Sequence, residues 1–149
     1  MAAIDVAMYA AHLLFAGLWA GSVFFVAVAV LPTAMDGTAD AGPLAVQTDR
    51  LRWITRLSAL ALLVTGGHTA AQRYTAETLT GSTAGYAVLT MVVLWVAMTG
   101  LVEAAGSRLS DGFDAGKVRE PARAARPLLL AASAIGVVLL LLGGGLAYL

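Results

Sequence analysis

From Val6 to Leu31 the chain carries no charged side chain, and its only strongly polar one is His12. A run of this length exceeds the roughly 20 residues that an α-helix needs to cross a hydrocarbon core. It is too long for the apolar stretch of a signal peptide, and only Asp5 precedes it where such a peptide would be basic. The run therefore reads as a retained first transmembrane helix, over about 6–31, ended by Pro32.

Three more runs follow. One opens at Arg50, Arg52 and Arg56 and extends from Trp53 to Gln72; the next covers Tyr86 to Ala105; the last starts at Pro127 and reaches Leu149. Proline suits the first turn of a helix, where its missing N–H costs little. The expected helices are thus 6–31, 53–72, 86–105 and 127–149. They are joined by a polar loop around Thr33–Asp49, a threonine-rich link Thr75–Thr83 and a charged segment Ser107–Arg126. The whole chain reads as one transmembrane domain, an all-α integral membrane four-helix bundle.

Composition agrees. Hydrophobic residues make up 60% of the chain and charged ones 12%, against about 25% charged in ordinary soluble domains. Nine basic and nine acidic residues balance, so no global field draws a polyanion, and nucleic-acid binding is excluded. With no cysteine, disulfides, thiolate metal sites, iron–sulfur clusters and cysteine nucleophiles are excluded too. No phosphate loop, nucleophile elbow or zinc-protease motif occurs. Asp36, Asp40 and Asp49 lack the spacing of a calcium loop.

Charge position predicts the topology. Of the nine basic residues only Arg73 lies away from segments 32–52 and 107–126 and the helix ends beside them. The positive-inside rule then places loops 32–52 and 107–126 in the cytoplasm and both termini outside, in the cell membrane. Arg119, Arg123 and Arg126 share one face, explained by topology and contact with anionic lipid. Arg56 and Glu103, near the cytoplasmic ends of helices two and three, are expected to pair. Gly17-x-x-x-Gly21 permits close helix approach, and a homo-oligomer is expected.

Two histidines remain inside the membrane region. His12 lies about 9 Å and His68 about 6 Å from the outer ends of their helices at 1.5 Å per residue, so antiparallel helices bring them to one level. Met91 falls at that level as well, and Met8 precedes His12 by one turn. Ionisable groups in a membrane are costly and face an interior or a cavity. Imidazole ligates haem iron, copper or zinc. His12 and His68 are therefore candidate axial ligands of a b-type haem, with Phe15, Trp19 and Trp95 as its walls. That arrangement suits electron transfer with an extracytoplasmic redox carrier, as a component of a haem-dependent oxidoreductase. Alternatively His12, His68, Met8 and Met91 form a soft nitrogen–sulfur site for copper binding or transport. The plainer reading is a cofactor-free membrane scaffold, with each histidine bonded to a neighbouring hydroxyl such as Thr65 or Thr69, and the aromatic and methionine stripes serving as packing.

The segment His12-Leu-Leu-Phe-Ala-Gly-Leu-Trp19-Ala-Gly21, with Pro32 closing the helix, resembles the opening of the copper-resistance protein D (CopD) family and of the HemJ-type protoporphyrinogen oxidases. The segment from Arg56 to Thr65-Gly66 is similar to their second helix, and Arg119–Pro127 to the approach to their last. The resemblance implies a four-helix membrane bundle that handles haem or copper, with His12 as the ligand of the first helix. The HemJ-type enzymes carry a lysine about where Thr90 stands and an arginine after the proline, where this chain has Thr33. Those departures argue against porphyrinogen oxidation and leave haem or copper binding open.

Overall fold

The computed structural model describes residues 2–146 and is all-helical, with no strand among them. Helix α1 (Ala3–Phe25) continues through a π-helical stretch, Val26–Val30, into α2 (Leu31–Asp36), making one unbroken rod. The wider turn has a cause in the sequence. Pro32 has no N–H to return to Val28 and its ring would clash with that carbonyl, and the Leu31 N–H bonds Val26 O, five residues back. Thr33 Oγ1 donates to the Val30 carbonyl at 2.8 Å within the same turn.

Gly37, at φ 72°, ends α2 in the left-handed conformation that glycine adopts without strain. Helix α3 (Ala41–Arg73) begins after only Gly37–Asp40. A short α4 (Ala76–Gly81) is capped by Thr75, whose hydroxyl accepts the Thr78 N–H. Helix α5 (Thr83–Asp114) and helix α6 (Arg119–Gly145) complete the chain. The four long rods neighbour one another in the cyclic order α1, α3, α5, α6, so that α1 and α5 stand diagonally across the bundle.

The expected loops are therefore much shorter. Most of 32–52 is helical, because Gly42 and Pro43 fall in the first turn of α3, where neither costs much. Most of 107–126 is helical as well: α5 runs on to Asp114 and α6 starts at Arg119, which puts Pro127 inside α6 and not at its start. The link 75–83 contains α4. The expected end of the last helix at Leu149 lies outside the described residues.

Three rods are long and apolar enough to cross a membrane: Ala3–Asp36, Thr83–Asp114 and Arg119–Gly145. Helix α3 is as long but more polar: Asp49, Arg50, Arg52, Arg56, His68 and Arg73 lie along it, and it turns Thr48, Thr55, Ser58 and Thr65 into the bundle. Its outward face is still apolar, with Leu57, Leu60, Leu63 and Val64 exposed. Every long rod shows large apolar side chains outward, such as Leu14, Val93 and Leu141. Water would not tolerate a continuous apolar surface of this kind on a lone soluble domain. Gly17 and Gly21 lie on the outer face, with nothing within 4 Å of where a Cβ would stand.

The two halves of the bundle differ. Toward the links 37–40 and 115–118 it is solid: Leu31, Ala34, Leu109, Ala122, Ala125 and Leu129 are all 0–1% exposed. Arginines stitch this end together. Arg56 makes two 2.7 Å bonds to the Glu103 carboxylate, so the expected pair is formed, and Arg52 approaches the same carboxylate at 3.9 Å. Arg119 donates to the Asp36 carbonyl at 3.1 Å, closing the end of α2, and Arg108 donates to the Ala124 carbonyl at 3.2 Å. The half toward the termini is hollow.

Candidate functional site: a histidine-lined cavity

A cavity of about 290 Å³ fills that second half, walled by α1, α3, α5 and α6. It extends from Val88 to Met98 on α5, about 15 Å of helix at 1.5 Å per residue. Glycines in its walls let side chains of other rods come close: a Cβ at Gly66 would meet His12, one at Gly136 Ala20 and Met98, and one at Gly143 Met91. A Cβ at Gly136 would meet Ala20 Cβ at 3.1 Å and Met98 Cε at 3.3 Å, so this glycine brings α6 close to α1 and α5 at the cavity floor.

His12 lines this cavity, half-buried on α1. Its Nδ1 lies 2.9 Å from Thr65 Oγ1. The Thr65 hydroxyl has one proton and gives it to the Ala61 carbonyl at 2.7 Å, so it accepts from the imidazole. Nδ1 therefore carries the proton and Nε2 keeps its lone pair, with no hydrogen-bond partner among the described residues. Such a bond on one ring nitrogen fixes the tautomer and orientation of a ligating imidazole. Gly66 completes the seat: a Cβ there would stand 3.0 Å from His12 Cε1.

His68 is elsewhere. Its Nε2 lies 3.2 Å from Asp5 Oδ1, while Asp5 Oδ2 accepts the Ala2 N–H at 3.0 Å at the start of α1. His68 is not among the residues that line the cavity. The two imidazoles share a region of the bundle but engage separate partners, Thr65 for one and Asp5 for the other.

The remaining expected residues divide in the same way. Trp19, Trp95 and Met91 line the cavity beside His12, together with Met98. Met8 and Phe15 do not; Phe15 instead packs against the buried core. The indole Nε1–H groups of Trp19 and Trp95 are both buried without an acceptor among the described residues, as are Arg52 Nε and Ser58 Oγ outside the cavity lining. No cluster of three His, Cys, Asp or Glu side chains with metal-binding geometry occurs among the described residues. Any metal bound here would take nitrogen from His12 and sulfur from Met91 or Met98.

The polar cavity residues Tyr9, Arg73 and Tyr74 carry no site signal in the sequence pattern of histidines, methionines and tryptophans. The Arg73 guanidinium stands over the Tyr9 ring, 6.0 Å from its centroid. The charge pattern does set Arg73 apart, as the one basic residue away from the other eight.

Compared with known proteins, the chain matches no family model, and no curated protein or solved structure is similar to it.

Proposed function

We propose that this is a membrane-embedded b-type haem-binding protein that exchanges electrons with a carrier outside the cytoplasm. The observation that carries the reading is the state of His12: one ring nitrogen held by Thr65, the other unpartnered on the wall of an apolar cavity. His12 Nε2 would hold the iron. Met91, on the diagonally placed α5, is the second donor that the cavity offers. His68, held by Asp5 outside the lining, is a structural partner of the start of α1 on this reading. Trp19 and Trp95 would wall the macrocycle.

The chemistry such a group supplies is one-electron transfer, and His/Met ligation raises the potential of the couple. The chain's own part is to hold the ligand nitrogen deprotonated, exclude water with Leu62, Val92 and Leu139, and keep both faces of the pocket apolar.

The same reading takes four membrane spans with the termini outside and the links 37–40 and 115–118 in the cytoplasm. The apolar outward faces of all four rods support it, as does the gathering of eight of the nine basic residues at the link end. Trp53, 75% exposed, and Tyr74 bracket about 30 Å of α3, the thickness of a hydrocarbon core with aromatic residues at both margins. The open face at Gly17 and Gly21 suits a second copy of the chain.

One observation favours a second reading. Met91 and Met98 line the cavity with His12, a soft donor set for Cu(I). The visible spectrum of the detergent-purified protein, oxidised and dithionite-reduced, together with its copper content, separates the readings. A Soret band that shifts on reduction supports haem. A colourless protein with stoichiometric copper replaces it with the second reading, and a colourless, metal-free protein from haem-replete cells leaves only a scaffold.

A further inference from the structure

We infer that Arg73 is the anion-recognition residue of the cavity, so that its occupant sits with a carboxylate-bearing edge toward the end that carries the termini. The inference rests on the proposed haem reading and assigns Arg73 to the propionates.

Among the described residues that line the cavity, Arg73 is the only one with a charged side chain at neutral pH, and no Asp or Glu is with it. It lies in the last turn of α3 and has no acidic partner within 4.0 Å among the described residues. The remaining basic residues lie toward the opposite end of the bundle, where Arg52, Arg56 and Lys117 have acidic partners. The exposed Arg73 guanidinium stands 6.0 Å from the centroid of the Tyr9 ring, with Tyr74 beside it in the cavity lining. A guanidinium facing an aromatic ring at this distance keeps its donors free of the ring, and their fork matches a carboxylate in two parallel bonds.

Polarity changes along the cavity in one direction. The floor is Trp19, Met98 and Gly136, with the first two 0–2% exposed. The mouth is Tyr9, Arg73 and Tyr74. A slot that is apolar at one end and cationic at the other selects an amphiphile and orients it. The face of α3 that leads from one to the other runs Gly66, Thr69, Ala70, Arg73. That places the cation two turns, about 10 Å, further out than the seat of His12. An occupant ligated by His12 thus reaches the mouth with its polar edge. The simpler role for Arg73 is that of an interfacial anchor at a helix C-terminus, where a cation is welcome in any case. An anchor would make no distinction between charged and uncharged occupants.

Haemin and its dimethyl ester, which lacks both carboxylates, make that distinction in a Soret titration of the detergent-purified protein. The expected result is a preference of about tenfold for the free acid, the ratio given by about 1.4 kcal/mol of charge-assisted bonding. In Arg73→Gln the free acid loses that advantage while the affinity for the ester stays as it was; Arg73→Lys retains part of it. A preference unchanged in Arg73→Gln overturns the inference, as does equal binding of both forms by the unaltered protein, and either leaves the haem reading standing. Binding of neither form overturns both.

Discussion

His12 Nδ1 lies 2.9 Å from a Thr65 hydroxyl whose proton is already given to the Ala61 carbonyl, so the imidazole is the donor and Nε2 is left with its lone pair. Loss of the hydroxyl should then weaken ligation without emptying the pocket. Thr65→Val keeps the shape and removes the acceptor, and haem affinity is expected to fall 10–100-fold, the usual order for removing the partner of a ligating histidine. Thr65→Ser should stay within a few-fold of the unaltered protein, as read by the same titration.

Two adjacent glycines give a matched pair. A Cβ at Gly66 stands 3.0 Å from His12 Cε1, whereas one at Gly67 meets nothing within 4 Å. Gly66→Ala is expected to displace the ring and abolish haem uptake, with helical circular dichroism retained. Gly67 lines the cavity too, so Gly67→Ala is expected to weaken binding only modestly, since its Cβ leaves the His12 ring where it is. Equal behaviour of the two would show that the seat of His12 does not matter.

The solid and hollow halves should respond separately. Leu129 is 0% exposed in the solid half, and Leu129→Ala is expected to cost about 2–5 kcal/mol of stability through lost burial and a residual cavity. Its haem affinity should be unchanged once folded. Asp5→Asn, which weakens the bond to His68, is expected to cost less than about 1 kcal/mol, since partly exposed pairs contribute little, and again leaves haem in place. Thermal unfolding in detergent reads the first quantity and titration the second.

Topology is open to direct labelling, because the chain has no cysteine and hence no background. Single cysteines at exposed Thr38, Ala115 and Thr80 report on the two links and on α4. In intact cells a membrane-impermeant maleimide should label Thr80→Cys and leave Thr38→Cys and Ala115→Cys unlabelled until lysis. The reverse pattern would turn the molecule over and place the cavity in the cytoplasmic half.

The apolar runs were legible because a residue that meets lipid or a packed core must be apolar whatever its neighbours do. What could not be read was where the helices stop. Polar composition between Thr33 and Asp49 marks contact with water, and a solvent-washed helix has it as surely as a loop does; only Gly37–Asp40 is unwound. Depth along a helix was also legible, and it brought His12 and His68 to a similar level. Direction was not. One turn of difference in which neighbour is met sends His12 to Thr65 and His68 to Asp5. The cavity is walled by residues of four rods, with glycines on α3 and α6 packed against side chains of the others, a relation that no single helix contains. Arg73 stood apart in the charge pattern, but its meaning depends on what it overlooks.

The central claim is that His12, and not His68, ligates a haem in this cavity. The direct measurement is the haem content per chain, by pyridine haemochrome assay, of His12→Ala and His68→Ala purified alongside the unaltered protein from haem-replete cells. The account predicts one haem per chain in the unaltered protein and in His68→Ala, and none in His12→Ala. Haem retained in His12→Ala, or lost in His68→Ala with the fold intact, would contradict it.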